Sequence, residues 1–479
     1  MKTHYHVIIV GAGFAGLTAA ETFAGQGLDI LIIDENAQSG GQLLRKTRHR
    51  PSLLPRLEPD RMKSKGFALI ESIKKRQGID WITQAQVLGI FKERRLLVHV
   101  ENHNTPGEKD AGKIREVQAD HLILATGARE RYLPFKGWTL PGVMSLGAAQ
   151  ILMKSHGVLP ARNTLIAGTS PLMMVLAWEI LGNRGRVAGL VDQNSMKKKL
   201  AFVPLVKDHW PKLVEGALYT ARMILSGVPV HQGTRVIEAR GENGFTSAII
   251  AKTTPEGVII PGTEKQCPAD ALAIGHGFVP NIELPVQAGC ELEYHRDKGG
   301  WVVRINQKLE SSVRSVYAVG EITGIAGAKK SFIQGRLVAL SILSRLGKIN
   351  LNSRTNDFHH GVETLVALNL EQEKYARFLN QLCQVPLSAY GTIPDETMIC
   401  RCEEITMGTI RKNIHQGFDT MGSLKKATRC GMGRCQGRIC GPVILDIITA
   451  LTGKSPAQVG CTLSRVPVKN VGISAFLNP

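Results

Sequence analysis

Buried apolar runs and polar turns alternate in a regular order at the start of the chain. Residues 7–10 form a continuous apolar run of the kind that becomes a fully buried strand. A glycine-rich turn follows, and residues 17–26 have the alanine content and apolar spacing of a helix. Residues 30–33 form a second apolar run. This order predicts a βαβ unit with two parallel strands.

A second unit of the same kind covers residues 163–192, and the pattern of the first domain returns later, with a strand at 315–320 and a helix at 329–346. Two such units predict an α/β fold in which one Rossmann-like domain interrupts another. A stretch with two prolines and a glycine precedes a cysteine-rich C-terminus. The expected segments are a first domain at 1–155 plus 280–350, a second domain at 156–279, a helical linker at 351–397 and a small module at 398–479.

The first glycine-rich turn carries the strongest chemical signal in this half of the chain. Gly11 permits the tight turn, Gly13 lets a pyrophosphate approach the backbone, and Gly16 lets the helix pack closely on the strand. Phe14 and Ala15 begin the helix, whose free N–H groups favour phosphate oxygens. The turn lies between a predicted strand and a predicted helix, which is the context that a dinucleotide site requires.

Acidic residues follow the second predicted strand. Asp34 stands 34 − 16 = 18 positions after Gly16, and Glu35 comes next. A carboxylate at this place accepts hydrogen bonds from ribose hydroxyls and repels a 2′-phosphate. The turn and the acids together predict a bound dinucleotide rather than a glycine-rich turn without a ligand.

Three further segments favour FAD over NAD. The first, Gly40, Gly41 and Gln42, follows the second strand. The second, Ala125, Thr126 and Gly127, is the turn that two-domain flavoproteins place against the dinucleotide. The third, Gly320 and Glu321, ends the last sheet strand with an acid. In this order they resemble flavoproteins with two dinucleotide-binding domains, in which the last acid, more often Asp, binds the ribitol chain of FAD. Glu keeps this role but has a longer reach.

The second unit carries a weaker nucleotide signal. Ser170 replaces the second glycine of the motif, and Met173 replaces the third. Asp192 still ends a predicted strand and is able to accept ribose hydroxyls. Three roles therefore stay open for this domain: NAD(P) binding, binding of another nucleotide, or a purely structural role. NAD(P) binding would make the protein an NAD(P)H-dependent reductase that contains FAD, which is the alternative function. The chain has no Cys-x-x-Cys, which excludes the usual thioredoxin-reductase chemistry.

The cysteines are concentrated near the C-terminus. Cys400 and Cys402 form one close pair, and the second pair is either Cys435 with Cys440 or Cys430 with Cys435. Two close pairs separated by a folded spacer suit a tetrahedral thiolate site for iron–sulfur or zinc. A flavin needs a one-electron outlet, and nearby cations would offset the charge of a thiolate-ligated cluster, so a [2Fe–2S] cluster is favoured. The cations are Arg401, Lys425, Lys426, Arg429, Arg434 and Arg438.

Residues 428–440, together with the Cys-Arg-Cys-Glu-Glu run at 400–404, resemble the [2Fe–2S] domains of the bacterioferritin-associated ferredoxin (BFD) type that are fused to FAD proteins. Nearly end to end, the chain resembles the FAD/[2Fe–2S] α subunits of heteromeric amine and amino-acid dehydrogenases. That group includes opine oxidases, proline and hydroxyproline dehydrogenases and hydrogen cyanide synthase. The resemblance implies a two-dinucleotide-binding-domain flavoprotein fold with a small, helical, C-terminal BFD-like domain.

The resemblance also implies a set of cluster ligands. The gap of 32 residues between Cys402 and Cys435 is close to that of the module it resembles, whereas the gap from Cys402 to Cys430 is 27. The expected ligands are therefore Cys400, Cys402, Cys435 and Cys440. Cys430 is then a neighbouring free thiol, packed as a small apolar residue.

The family resemblance implies a partner as well. A separate β subunit, similar to D-amino-acid oxidases, binds the amine in that family, and electrons pass onward to a quinone or a carrier protein. The residues of this chain agree with such a division of labour, because they offer no convincing acid–base or nucleophile constellation, and the catalytic residues stay unknown. His276 stands between two glycines where it could face the flavin, but a lone histidine at a strand end is more often structural.

Charge and targeting signals limit the possible binding partners and the expected cellular location. The net charge is +19, yet the sequence has no long basic run and only 5% aromatic residues, so nucleic-acid binding is not expected. Neither a signal peptide nor a transmembrane segment is apparent. We expect a cytoplasmic protein, and peripheral attachment to the inner membrane stays open.

Overall fold

The structure is a computed structural model that describes residues 1–45, 58–101, 112–195, 198–199, 210–349 and 357–477. Its strands are β1 (His4–Val10), β2 (Ile30–Ile33), β3 (Ile79–Ile82), β4 (Ala85–Phe91), β5 (Arg95–Val100), β6 (Lys113–Leu124), β7 (Ala128–Glu130), β8 (Val143–Ser145), β9 (Asn163–Gly168), β10 (Arg186–Asp192), β11 (Val230–Gln232), β12 (Thr234–Arg240), β13 (Ser247–Lys252), β14 (Lys265–Pro268), β15 (Ala271–Gly275), β16 (Phe278–Pro280), β17 (Leu292–His295), β18 (Gly300–Val303), β19 (Val316–Ala318), β20 (Met398–Cys400) and β21 (Ile405–Thr406).

The helices occupy the segments between and after these strands. They are α1 (Phe14–Phe23), α2 (Glu58–Lys74), α3 (Leu146–Ile151), α4 (Leu172–Gly182), α5 (Trp210–Leu225), α6 (Glu283–Gln287), α7 (Ala328–Arg345), α8 (Asp357–Cys383), α9 (Ser388–Gly391), α10 (Met407–His415), α11 (Met421–Thr428), α12 (Cys440–Thr452) and α13 (Pro456–Val459). A π-helical turn at Leu152–His156 continues α3.

The predicted N-terminal βαβ unit is present. β1 pairs in parallel with β2 on one side and with β6 on the other, and β19 pairs in parallel with β6. The sheet has seven strands in the order β3-β2-β1-β6-β5-β4, with β19 beside β6. Because parallel strands end at the same edge, the carboxyl ends of β1, β2, β6 and β19 meet there, and each is followed by a predicted cofactor residue.

Both faces of this sheet are covered, as a parallel sheet requires. Helices α1 and α7 pack together on one face, and they are so close that a Cβ on Gly335 would lie 2.2 Å from the carbonyl oxygen of Ala15. The opposite face packs against Leu284 of α6 and Val468 of the C-terminal segment. The site edge is therefore held between rigid, well-packed elements.

The second domain has its own parallel sheet, with the strand order β11-β10-β9-β15-β8. Its strand β8 lies at Val143–Ser145, inside the segment 1–155 that the sequence pattern assigns to the first domain. The short antiparallel pair β7–β16 forms the crossing point between the two domains.

The cysteine-rich module consists of the β20–β21 hairpin and helices α10 to α13. Its buried core includes Leu133, which comes from the segment that follows β7. The indole nitrogen of Trp138 donates a hydrogen bond of 2.7 Å to the carbonyl oxygen of Met398. The module therefore packs directly against the crossing point between the domains.

None of the helices in the described segments is long and apolar enough to cross a bilayer.

Candidate functional site

The glycines of the first turn have different tasks in the structure. A Cβ on Gly11, whose φ is +107°, would lie 2.3 Å from the carbonyl oxygen of Ala125, and a Cβ on Gly16 would lie 2.0 Å from that of Gly11. Packing alone therefore requires these two glycines. A Cβ on Gly13 would meet nothing nearer than the Cα of Gly41, at 4.0 Å. The protein itself does not need a glycine there, but a ligand lying on the turn does.

Helix α1 begins with its backbone donors available. Gly13 is the N-cap residue and has no side chain to cap the helix, and the first turn contains no acidic residue. The N–H groups of Phe14, Ala15 and Gly16 therefore need acceptors from elsewhere. Pyrophosphate oxygens would supply them, and the positive end of the helix dipole favours that charge.

The two acids after β2 have different surroundings. Asp34 is buried, and its carboxylate accepts hydrogen bonds from the backbone N–H of Ala12 at 2.7 Å and from the backbone and side chain of Asn36 at 2.8 and 2.9 Å. A carboxylate has about four acceptor positions, so one is left for a ribose hydroxyl. Glu35 is half-exposed and forms an ion pair with Lys469, near the end of the chain.

The other predicted cofactor residues converge on the same turn. A Cβ on Gly41 would lie 3.1 Å from the Cα of Gly13, and a Cβ on Gly320 would lie 3.3 Å from the Cβ of Ala15. Ala125 contacts Gly11, as described above, and Gly127 has a φ of +71° with no atom within 4 Å of a Cβ built there. Gln42 is exposed, and its side-chain oxygen accepts a hydrogen bond from Arg45 at 3.0 Å. Thr126 instead exchanges hydrogen bonds with Asn281.

Glu321 lies in the turn after β19. Its carboxylate accepts hydrogen bonds from the backbone N–H groups of Ala326 and Gly327, at 3.1 and 2.6 Å. Burial raises the pKa of this carboxyl group, and the nearby ammonium of Lys330 opposes that effect. The turn Gly11–Gly16, together with Asp34, Gly41, Ala125 and Gly320, therefore forms one cradle, whereas Gln42, Thr126 and Glu35 are bonded to other protein groups. The free N–H groups and the open space over Gly13 suit a dinucleotide.

Five cysteines come together in the C-terminal module. The sulfur atoms of Cys400, Cys430 and Cys440 all lie within 4.8 Å of one another, and these three residues are buried. Cys435 is hydrogen-bonded to Cys440 and to Cys402, which is the exposed member of the group. The sulfur hydrogen bonds lower the pKa values of Cys400 and Cys435 and raise those of Cys430 and Cys440, because the lowered thiols accept protons that the raised thiols keep. Closely spaced cysteine sulfur atoms are the ligands that an iron–sulfur cluster needs.

Glycines allow the cysteine segments to approach. A Cβ on Gly433 would lie 2.3 Å from the Cβ of Cys402, so only glycine fits between the two segments. Gly431 and Gly437 both have positive φ values, of 85° and 78°, and face each other across the loop. The ligand set expected from sequence leaves Cys430 aside. The structure brings Cys430 into the group, because Arg429 ends α11 in the left-handed conformation and turns the chain inward.

A partly buried polar network joins the segment after the Gly127 turn to the cysteine loop. Arg129, two residues after Gly127, donates to the carbonyl oxygen of Arg438 at 2.9 Å and to the side chain of Asn281 at 2.8 Å. It also forms an ion pair of 2.8 Å with Glu283. Arg438 in turn donates to the carbonyl oxygen of Cys435 at 3.2 Å. Sequence reasoning missed Arg129, Asn281 and Glu283, because no local motif marks them.

A second buried contact fixes the module against the domain crossing. Arg131 and Asp446 form an ion pair of 2.5 Å with side chains that are 13% and 2% exposed. Breaking a buried pair by removing one partner leaves an uncompensated charge, so this contact holds the two parts in one orientation. His276 is also buried here, and burial is the main cause that lowers its pKa to about 3. The positive charges of Arg235 and Arg131 lower this pKa as well. It is therefore a neutral histidine at physiological pH.

The end of helix α8 contacts the turn of the second domain that corresponds to the glycine motif of the first. The hydroxyl of Thr169 donates to the carbonyl oxygen of Cys383 at 2.7 Å, and the ammonium of Lys198 donates to that of Leu382 at 3.1 Å. Asp192, which would accept a ribose, forms an ion pair with Lys199. These contacts and the missing glycines favour a structural role for this domain.

We therefore expect weak or no reduction of the flavin of the purified protein by NADH or NADPH. The end of α8 would have to leave the turn before a pyrophosphate could approach. Anaerobic titration followed by flavin bleaching measures this directly. Rapid stoichiometric reduction by either nucleotide would contradict the expectation and support an NAD(P)H-dependent reductase instead.

Comparison with known proteins agrees with both halves of this site. Residues 5–337 match the pyridine nucleotide-disulphide oxidoreductase family, and residues 398–450 match the BFD-like [2Fe-2S] binding domain. The chain belongs to the pyridine nucleotide-disulphide oxidoreductase family. It is a flavoprotein oxidoreductase with FAD and a [2Fe–2S] cluster as its cofactors, and it combines the Rossmann-like fold with a helical BFD-like domain.

Two relatives match this family member over nearly its whole length. It is 32% identical to the A subunit of opine oxidase from Rhizobium meliloti, covering 99% of this chain and 87% of the relative. It is also 32% identical to the HcnB subunit of hydrogen cyanide synthase from Pseudomonas aeruginosa, covering 98% of each chain. The fold is similar to that of L-proline dehydrogenase from P. horikoshii, with a TM-score of 0.67 at 19% identity over 99% of this chain and 79% of that one.

Proposed function

We propose that this protein is the FAD- and [2Fe–2S]-carrying subunit of a heteromeric amine or amino-acid dehydrogenase, which acts on CH–NH or CH–NH2 donors. The substrate class is that of opines, proline, hydroxyproline or glycine. A D-amino-acid-oxidase-like β subunit binds the substrate, and this chain passes the electrons on. The names of its relatives, which are subunits of opine oxidase and of hydrogen cyanide synthase, support this assignment.

The observation that carries the proposal is the polar network between the cradle and the cysteine loop. Bound FAD exchanges one or two electrons, and a [2Fe–2S] cluster carries one at a time. Arg129 lies in the segment after the Gly127 turn and donates to the carbonyl oxygen of Arg438, which in turn donates to that of Cys435. These contacts would hold the FAD site and the cysteine loop at a fixed distance from each other. A subunit that passes electrons from FAD to a cluster needs a fixed distance between the two cofactors more than it needs a substrate pocket.

The chain's own residues have separate tasks in this function. The turn at Gly13 and the acids Asp34 and Glu321 would hold the dinucleotide. Cys400, Cys402, Cys435 and Cys440 would hold the cluster, and the partly buried Arg438 would offset part of its negative charge. Cys402 is the exposed cysteine of the group. It therefore marks the side from which an acceptor, either a quinone or a carrier protein, takes the electrons.

The test compares the isolated chain with the heteromer. Alone, the chain should oxidise proline, hydroxyproline, octopine, nopaline and glycine at no appreciable rate, since the proposal assigns amine binding to the β subunit. Co-expressed with the β subunit, it should show flavin bleaching and then cluster reduction on addition of one of these amines. Robust turnover by the isolated chain would refute the division into subunits.

The relay itself is tested with Arg129→Lys in the heteromer. Lysine keeps the charge beside Glu283 but loses the planar fork that reaches Arg438 and Asn281. We expect cluster reduction in stopped-flow absorbance to slow by about ten-fold, on the order of 1.4 kcal/mol, while flavin bleaching is unchanged. Arg304→Lys, at an exposed ion pair with Glu291, is the control. Equal rates in both variants would show that the network does not assist the relay.

A further inference from the structure

The last segment of the chain returns from the cluster module to the first domain. It follows α13 and reaches the sheet at Val468, which is 3% exposed. The backbone N–H of Val468 donates to the carbonyl oxygen of Leu88 at 2.7 Å, and its own carbonyl oxygen accepts from Arg438 at 2.7 Å. One residue is thus bound to strand β4 of the first domain and to an arginine of the cysteine loop.

Strand β4 of the first domain has a glycine at the position where this segment packs. A Cβ on Gly89 would lie 2.7 Å from a methyl group of Val466, so glycine makes room on β4 for the incoming chain. Val468 belongs to the hydrophobic core on that face of the sheet, together with Val87 and Ile33. Ile33 is the last residue of β2, directly before Asp34. The position of the next residue, Lys469, is therefore set by a packed core.

The side chain of Lys469 lies on the acids that follow β2. Its ammonium forms an ion pair with Glu35, and the carboxylate of Asp34 is close enough to oppose the effect of burial on the pKa of Lys469. Burial lowers that pKa, as expected for an amine partly removed from water. Arg45 also faces Asp34 and is held by Gln42. Two acids and two cations thus surround this corner of the cradle.

The acid at the end of the second strand is the group that holds the adenosine ribose of a dinucleotide in this fold. FAD also brings a dianionic pyrophosphate next to these carboxylates, so cations are needed there to limit repulsion. We infer that Lys469 is an FAD-binding residue, supplied by the C-terminal segment, whose ammonium contacts the adenosine diphosphate half of the cofactor. The cluster module then contributes to the site that retains FAD, although its own cysteines lie elsewhere.

The test uses the full chain and measures binding rather than turnover. Lys469→Met keeps the length of the side chain and removes its charge. We expect the Kd for FAD to rise by about ten-fold, and the Kd for ADP, used as a probe of the adenosine half, to rise by the same factor. Iron content and the visible cluster absorption should not change. Lys469→Arg should restore most of the affinity.

Lys454→Met is the matched control, since Lys454 is also 37% exposed and forms an ion pair of 2.5 Å with Asp419 inside the module. It should bind FAD and ADP like the wild type. If Lys469→Met binds both within two-fold of the wild type, the inference is wrong. It is equally wrong if the double variant with Glu35→Gln regains full affinity, because Lys469 would then only neutralise Glu35. The inference rests on FAD binding and not on the amine substrate, so it survives a failure of the proposed function.

Discussion

Gly13→Val should remove FAD from the purified protein while the fold and the cluster remain. Among the residues that the structure describes, a Cβ at this position would meet no atom nearer than 4.0 Å, and the φ of −80° at Gly13 suits any residue. The valine therefore costs the protein little but fills the space over the helix N-terminus that the pyrophosphate needs. We expect FAD to bind at least about 100-fold more weakly, which is on the order of 3 kcal/mol. The visible flavin spectrum and a fluorescence titration measure the loss.

Gly422→Val is the control for this variant. Gly422 lies in α11, is exposed, and likewise has no atom within 4 Å of a Cβ built on it. It should keep stoichiometric FAD and an unchanged iron content. If Gly13→Val also retains stoichiometric FAD, the first turn is not the pyrophosphate site, and the assignment of the cradle is wrong.

Cys440→Ala and Cys435→Ala should each lose the cluster, whereas Cys430→Ala should keep it. The 32-residue gap between Cys402 and Cys435 is the basis of this expectation, and the sulfur contacts show how the four thiols could surround a cluster. Cys400 contacts Cys440, Cys440 contacts Cys435, and Cys435 contacts Cys402, which completes a ring with its near neighbour Cys400. The thiol of Cys430 shares hydrogen bonds with Cys400 and Cys440, on one side of that ring. Removing it leaves four thiolates in place.

Iron analysis and the visible iron–sulfur absorption distinguish the variants. FAD should remain bound in all of them, since the turn at Gly13 and the acids Asp34 and Glu321 lie in the first domain, and Lys469 is held there by Val468 on strand β4. Cys461→Ala, at a cysteine outside the sulfur group, should behave like the wild type. If Cys430→Ala strips the iron and Cys440→Ala does not, the ligands are Cys400, Cys402, Cys430 and Cys435 instead.

Much of the fold and part of the site follow from local sequence. The order of strand, glycine turn, helix and strand with Asp34 at its end is specified within about 30 residues, because a dinucleotide turn requires small residues at set positions. The same holds for Cys400 with Cys402 and for the glycine-rich loop before Cys440, since a compact thiolate site needs closely spaced ligands. The nested pair of Rossmann-like domains was predictable because each βαβ unit carries its own apolar periodicity.

Strand β8 is a case in which apolar periodicity does not show which sheet a strand joins. Its three residues, Val143–Ser145, pair with β15 in the second sheet, although the sequence around them resembles a continuation of the first domain. A strand this short has too few positions to show which sheet it joins. Only pairing with a strand almost 130 positions away decides the matter.

The contacts that join the sites were decided by the tertiary structure alone. Arg129 meets Arg438 across 309 positions, Thr169 meets Cys383 across 214, and Glu35 meets Lys469 at the other end of the chain. Each side chain is of a common type with no spacing to mark it, so its role depends on which distant segment packs beside it. The sequence by itself determined which cofactors this protein is built to hold, because those motifs are local. How the cradle, the cysteine loop and the C-terminal segment are joined was settled by packing between distant parts of the chain.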